Sequence, residues 1–261
     1  HFDLVIDMQG LFKSAVLAAI SGCSNRIGYC EMREGSGLIS KAITGAHSKE
    51  HVIERYLDVA RYLGAKVESL DDVQFPMPDL SKEAASVQVK LRELGWDGAD
   101  YVVIVPGARW WTKEWPVEHY VALAKRIATD GKYIVLAGGP DDAPKGKAIA
   151  EQCASPLVLD MTGKTSLREL AALIKDCSFY ISADTGPLHF AAALKKPLVA
   201  MYGPTKADRT GPYGSKNSEV ILSPASCAGC LKKNCQNWHC MHDIKPEMVY
   251  EIYEKKVKAH G

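Results

Sequence analysis

Between residues 101 and 202, short apolar runs alternate with segments of helical period, and this alternation constrains the fold more than any other feature of the chain. The runs YVVIV (101–105), YIVLA (133–137), LVL (157–159), FYISA (179–183) and LVAMY (198–202) are β-branched or aromatic and bounded by Gly or Pro. Strands that read as unbroken apolar runs are buried on both faces, as in a parallel sheet with helices on each side. The segments between them supply the helices. Pro116 suits a first helical position, Tyr120, Leu123, Ala124 and Ile127 share one face, and Gly131 provides a stop. Ser166 and Glu169 form a capping box ahead of Leu167, Leu170, Ala171 and Ile174. The pattern predicts an α/β fold with a doubly wound parallel sheet of five strands.

Residues 1–70 read as part of a second α/β unit, with a strand at 2–7, a helix at 11–20, a strand at 26–30 and a helix at 50–63. The last helix would use Val52, Ile53, Tyr56, Leu57 and Ala60 as its apolar face. Two strands make a poor sheet by themselves. The chain also opens directly on a strand-like run, HFDLVID, without Met, so it reads as a fragment lacking an upstream portion. DDVQFPMPDLS (71–81) has two prolines, several acids and no period, and reads as a linker. The expected division is therefore a partial N-terminal domain over 1–75, a C-terminal domain over 82–245 and a closing helix over 246–261. Pro246 opens that helix, with Val249, Ile252 and Tyr253 on its apolar face.

Composition narrows the function by exclusion. A net charge of +1 provides no footprint for nucleic acid. No apolar run reaches the roughly 18 residues of a membrane span, and the opening residues lack the basic start of a signal peptide. Cys23, Cys30, Cys153 and Cys177 stand among apolar neighbours and read as buried thiols of a cytosolic protein. The other four cysteines crowd into CAGCLKKNCQNWHC (227–240), with His239 and His242 close by. Cys227, Cys230, Cys235 and Cys240 could hold a structural Zn²⁺, although C-x₂-C-x₄-C-x₄-C is not a standard finger spacing, and free or disulfide-bonded thiols are the alternative.

Open parallel sheets bind ligands beyond the carboxyl ends of their strands. Polar, glycine-rich loops sit at those places: PGARWWTKEWP (106–116), GGPDD (138–142), DTGPLH (184–189) and GPT (203–205). Each alone could be an ordinary turn, but four on one rim point to a cleft. Their chemistry suits a phosphorylated ligand. Thr185 can cap the helix entered at Pro187, Gly186 allows close approach, and the first-turn N–H groups favour an anion. Lys113 adds a mobile positive charge, and Asp142 or Asp184 could take sugar hydroxyls. His189, one turn into the helix, reads by itself as a half-buried structural histidine. Trp110, Trp111 and Trp115 could stack on a base or sugar, at least one of them being core. No G-x-G-x-x-G is present, and GKT (163–165) fails as a P-loop because Val158 stands where that motif needs Gly.

Taken together, DLVIDMQGLFKSA (3–15), RIGY (26–29), PGARWWTKEWPVEHY (106–120), the GGPDD turn, TGKTSLRELAALI (162–174), SADTGPLHFAAAL (182–194) and YGPT (202–205) resemble the family-9 glycosyltransferases, the ADP-heptose:lipopolysaccharide heptosyltransferases. The cysteine tail followed by MHDIKPE is most similar to the heptosyltransferase II branch. The resemblance implies a GT-B fold of two Rossmann-like domains, the N-terminal one incomplete here. It implies inverting transfer of heptose from ADP-L-glycero-D-manno-heptose to a Kdo or heptose of the lipopolysaccharide inner core, at the cytoplasmic face of the inner membrane, with no cofactor needed for catalysis.

By the same resemblance, Lys113 meets the donor phosphates, with Gly107, Ala108 and Arg109 lining that loop. Asp142 lies near the ribose and Thr165 beside the adenine. Asp184, Thr185, Gly186 and His189 serve the heptose and pyrophosphate, while Lys13 and Arg33 fall on the acceptor side. The closing helix is expected to cross back to the first domain. The family's presumed catalytic base is an Asp in a Gly-Asp loop that would precede residue 1, so this chain is expected to bind donor and transfer poorly. The alternatives are a nucleotide-sugar-binding module without catalysis, a family member using a different sugar, and a metal-stabilised interaction protein acting through the cysteine tail.

Overall fold

A computed structural model describes residues 1–69 and 73–258. The chain forms two compact units, His1–Val73 and Gln74–Gly261. Asp71 and Asp72 of the expected linker lie outside the described residues, as do the last three residues of the expected closing helix; residues 73–80 carry no regular structure.

The first unit holds a three-stranded parallel sheet in the order β1 (Val5–Asp7), β2 (Arg26–Tyr29), β3 (Lys41–Ile43), with α1 (Phe12–Ile20) and α2 (Val52–Tyr62). The sequence reading missed β3, whose three residues KAI are too short to show a period. It also misassigned the inner face of α2. Tyr56 is 43 % exposed, and the buried positions are Arg55, Asp58 and Val59. The reason is a polar network. Asp58 accepts hydrogen bonds from the Tyr29 hydroxyl (3.0 Å), the His47 backbone N–H (3.0 Å) and Arg61 (3.2 Å), and its other close partner is His47 Nδ1 at 2.6 Å. Burial alone would raise the Asp58 pKa, but the bonds from His47, Tyr29 and Arg61 reverse this and hold it below the usual carboxylate range. Arg55 pairs with Glu31 at 2.5 Å and lies over the Tyr29 ring. A helical-period rule that counts only apolar residues cannot find such a face.

The second unit begins with α3 (Ser81–Glu93), a helix the sequence reading did not pick out. It continues as β4 (Tyr101–Val105), α4 (Val117–Thr129), β5 (Tyr133–Leu136), α5 (Ala143–Cys153), β6 (Val158–Asp160), α6 (Leu167–Asp176), β7 (Phe179–Ala183), α7 (Gly186–Ala193), β8 (Leu198–Tyr202), α8 (Ala207–Thr210), β9 (Ser218–Leu222) and α9 (Pro246–Lys258). All five expected strands are present, and β9, with its exposed Glu219 and Leu222, makes a sixth at the edge. The sheet is parallel throughout, in the order β6-β5-β4-β7-β8-β9.

Successive residues of each strand serve opposite faces. Val102, Ile104, Ile134, Leu136, Phe179 and Ile181 pack with Leu123, Ile127, Val249 and Tyr253 of α4 and α9. Val103, Val135, Leu159, Tyr180 and Leu198 pack with Leu91, Leu170, Leu173 and Leu188 of α3, α6 and α7. Each such fully buried side chain contributes about 1.5–3 kcal/mol.

Tyr120, Leu123, Ala124 and Ile127 are all buried, as their spacing predicts, with Pro116 preceding the first turn and Gly131 (φ +74°) just past the end. The capping box is present: Ser166 Oγ accepts the Glu169 N–H (3.2 Å) and Glu169 accepts the Ser166 N–H (2.8 Å). Leu167 departs from the expected apolar face and is 68 % exposed. In α9 the buried residues are Val249, Tyr250 and Tyr253. That helix packs within the second unit, where the Tyr250 hydroxyl donates to Asp130 (2.8 Å) and Arg126 stacks on its ring.

Candidate functional site

The strand order reverses between β4 and β7, so the loops leaving these neighbours turn in opposite directions and open a crevice. Lys113, in a short 3₁₀ turn after β4, and Asp184, the first residue after β7, meet there with Nζ and Oδ2 3.4 Å apart. Both side chains are largely enclosed, 13 % and 10 % exposed. The Lys113 ammonium also lies 5.1 Å from the Trp110 ring centre. Tyr202, at the end of β8, is buried beside Asp184 and donates from its hydroxyl to the Thr210 carbonyl (2.9 Å). Burial, with the Asp184 charge adding to it, pushes that phenol far above its ordinary range.

His189 lies close enough to the same pair to feel both charges. Surrounding protein lowers its pKa, Asp184 opposes the shift and Lys113 adds to it, so the imidazole is neutral near pH 7. Thr185 occupies the N-cap position of α7 in extended backbone, but its side chain makes no capping bond, contrary to expectation. Pro187 in the first turn has no N–H to donate to it, and the threonine hydroxyl is left over for another partner.

The remaining loops join this centre from the other side. Asp142 accepts the Gly139 N–H (2.9 Å), and its carboxylate fills the space where Gly107 would carry a side chain. Only glycine at 107 lets the loops after β4 and β5 touch in this way. The Gly163 N–H donates to the Gly138 carbonyl (3.0 Å), which brings the Thr165 turn after β6 against the loop of Asp142. Thr165 Oγ1 is buried without a hydrogen-bond partner, as is Thr205 Oγ1 in the loop after β8. Ala108 is half-buried and Arg109 exposed on the β4 loop. Of the three tryptophans, Trp115 is core at 1 % exposure, donating to the Ile244 carbonyl, whereas Trp111 is 44 % exposed.

In the first unit, Lys13 lies in the first turn of α1, which follows β1, and Arg33 lies in the loop after β2. The Arg33 N–H donates to the Gly10 carbonyl at 2.8 Å, and both side chains are exposed. Sequence reasoning missed the neighbouring Arg55–Glu31 pair, whose buried arginine resembles an ordinary helix-surface residue in the primary structure.

The zinc expectation for the cysteine tail finds no support in the geometry. Among the described residues no group of three or more His, Cys, Asp or Glu side chains is arranged to hold a metal ion. Cys227 and Cys230 are exposed, Cys235 is half-buried and Cys240 is buried, all four as free thiols. The segment is held by the Trp238 indole N–H donating to the Thr112 carbonyl (2.9 Å) and by edge-on packing of Trp238 against His242. Of the scattered cysteines, Cys23, Cys153 and Cys177 are buried as expected and Cys30 only partly so.

The chain is similar along nearly its whole length to known proteins. Lipooligosaccharide heptosyltransferase 2 of Haemophilus influenzae is 28 % identical over 264 residues, covering 96 % of this chain and 75 % of that protein. Among solved structures, the Escherichia coli ADP-heptose lipopolysaccharide heptosyltransferase II superposes with a TM-score of 0.75 at 26 % identity, over 99 % of this chain and 77 % of that one. The E. coli heptosyltransferase WaaC determined with ADP gives 0.70 at 27 % identity, over 98 % and 73 %. The two-unit α/β architecture, with its smaller N-terminal sheet, is accordingly of the GT-B type. The model of glycosyltransferase family 9 (heptosyltransferase) matches residues 1–241, and the chain belongs to that family.

Proposed function

We propose that the chain transfers heptose from ADP-heptose to a sugar of the lipopolysaccharide core, working from the cytoplasmic face of the inner membrane. The observation that carries this reading is the Lys113–Asp184 pair in the crevice at the sheet's switch point, beside a helix start with an uncommitted threonine hydroxyl. Family membership and the ADP in a related structure supply the donor class. No helix among the described residues is long and apolar enough to cross a membrane, so a lipid-linked acceptor would be met from the surface.

In this reading the second unit is the donor domain and residues 1–75 the acceptor side. Lys113, with Gly107, Ala108 and Arg109 around it, and the backbone at Thr185 and Gly186 receive the diphosphate. Asp142 takes the ribose hydroxyls, Thr165 lies by the adenine, and Asp184 and His189 face the sugar. Lys13 and Arg33 attract the phosphates of the acceptor. The reaction is a displacement at the anomeric carbon: the acceptor hydroxyl forms the new glycosidic bond, the bond to the β-phosphate oxygen breaks, and ADP leaves with the electron pair. Lys113 stabilises the charge that grows on that leaving oxygen, and donors aimed at developing charge usually contribute more to such catalysis than any other effect. The acceptor proton passes to a general base.

Calorimetry with ADP and a transfer assay with ADP-heptose and a Kdo-terminated core acceptor test the proposal. ADP binding that Lys113→Met weakens, together with heptose transfer, is expected. Binding without transfer would favour a nucleotide-sugar-binding module, and transfer from another ADP-sugar alone would replace heptose as the substrate.

A further inference from the structure

The segment 227–242 is joined to two loops of the crevice. The Gly229 N–H donates to the Gly203 carbonyl (2.9 Å) and the Leu231 N–H to the Pro204 carbonyl (2.7 Å), which ties the segment to the loop after β8. The Thr112 hydroxyl donates to the Lys232 carbonyl (2.9 Å) and the Trp238 indole to the Thr112 carbonyl (2.9 Å), which ties it to the loop of Lys113. Thr112 is 1 % exposed, so both bonds are sheltered from water. Trp111 packs edge-on against Trp238, with ring centres 5.5 Å apart.

These ties bring Lys233 to the ring that Lys113 also meets. Its ammonium lies 5.0 Å from the Trp110 ring centre, and that of Lys113 lies 5.1 Å from the same point. The two charges are therefore within about 10 Å, the Debye length at ~0.1 M salt, and they repel unless an anion is near. Lys113 is compensated by Asp184. Among the described residues no carboxylate is paired with Lys233, whereas Lys145 in the same region is paired with Glu114 at 2.8 Å. An exposed, uncompensated cation has been carried to the rim of the crevice by a segment that is otherwise stitched down.

We propose that Lys233 is a second cation of the anion-binding site and acts on the diphosphate of the bound nucleotide. Trp238 and Thr112 are positioning residues that hold the Lys113 loop and the Lys233 segment together. This rests on the reading of Lys113 as a phosphate ligand. The role of the segment is then to deliver charge, which is independent of any metal.

The test compares the parent with Lys233→Gln and Lys233→Arg. Calorimetry with inorganic pyrophosphate and with ADP, repeated across a salt series, is read beside the heptose-transfer assay. Lys233→Gln is expected to weaken both ligands about threefold to tenfold and flatten the salt dependence, while Lys233→Arg stays within about twofold of the parent. Thermal stability should be the same in all three proteins, since the side chain is exposed. Trp238→Phe keeps an aromatic ring but loses the bond to Thr112, and should weaken pyrophosphate binding even though Lys233 is intact.

Parent-like binding by Lys233→Gln, or failure of Lys233→Arg to restore it, would overturn the assignment and leave the transferase reading standing. Lys233-dependent pyrophosphate binding without ADP binding or transfer would keep Lys233 as a second cation of an anion site but overturn its action on a nucleotide, along with the transferase reading. A parent that binds neither ligand would overturn both.

Discussion

Asp184→Asn separates two effects that are confounded in the native protein. In the resting site Lys113 is held by Asp184 at 3.4 Å, and both side chains are nearly enclosed. At an effective dielectric of ~20 the bare attraction is about 5 kcal/mol, but desolvation offsets most of it and leaves about 1–2 kcal/mol for the pair. If Lys113 must turn toward an incoming diphosphate, part of that attraction opposes binding. Removing the carboxylate charge relieves the competition and subtracts a like charge from the neighbourhood of the phosphates. ADP, which carries no heptose, should bind Asp184→Asn roughly fivefold more tightly, about 1 kcal/mol.

ADP-heptose should not share the gain, because the amide replaces a charge-assisted bond to the sugar with a weaker one. Transfer should fall by at least tenfold. The variant should also melt a few degrees lower, since Lys113 loses its counter-charge in an enclosed place. Calorimetry with both ligands and a single-turnover transfer assay read these outcomes. ADP binding weakened by an order of magnitude in Asp184→Asn would refute the reasoning, because the carboxylate would then be organising the phosphate site rather than competing for its lysine.

Three further perturbations test the frame around the site. Gly107→Ala would place a methyl group in the space of the Asp142 carboxylate, so one loop must move. A loss of about 1–3 kcal/mol in denaturant unfolding is expected, with ADP affinity falling in parallel. Glu169 accepts bonds from Lys90 and Ser86, both 2.7 Å, and from the Ser166 N–H; the Lys90 ammonium first of all, against some burial, lowers its pKa to about 2. A depressed folded-state pKa stabilises above the unfolded value of 4.5 and loses that effect as pH falls toward 2. Glu169→Gln should therefore cost about 1–2 kcal/mol at pH 7, after allowance for solvent screening, and almost nothing at pH 2, as thermal melts at the two pH values would show. In the first unit, Asp58→Ala leaves Arg61, His47 and the Tyr29 hydroxyl without their shared acceptor, and a loss of about 3–5 kcal/mol is expected in hydrogen exchange of β2 and α2. Unchanged protection there would show that the network is dispensable.

The periodic parts of this protein were legible from residues alone. Strands buried on both faces must be apolar at every position, so YVVIV or FYISA declares itself, and a capping box such as Ser166–Glu169 is a local exchange of hydrogen bonds between backbone and side chain. The loops could also be placed after their strands, which put Lys113, Asp142 and Asp184 on one rim from the residue order alone. Distances across the sheet were not legible. The meeting of Lys113 with Asp184 depends on β4 and β7 being neighbours, although β4 ends at Val105 and β7 begins only at Phe179. Strand order is a property of how apolar faces are shared among helices.

The buried face of α2 was hidden for a related reason. Arg55 and Asp58 are tolerable inside only because Glu31, Tyr29, His47 and Arg61 arrive from elsewhere in the chain to satisfy them. The cysteine tail shows the same limit from the other side. Four thiols at suggestive spacing can be read from the residues, whereas the contacts through Thr112 and Trp238 that make the segment a brace for the crevice loops are purely tertiary. Sequence determines which groups are available at each turn. Only the folded chain decides which of them share a dielectric, a neighbour and a charge, because those are set by distances between residues far apart along the backbone.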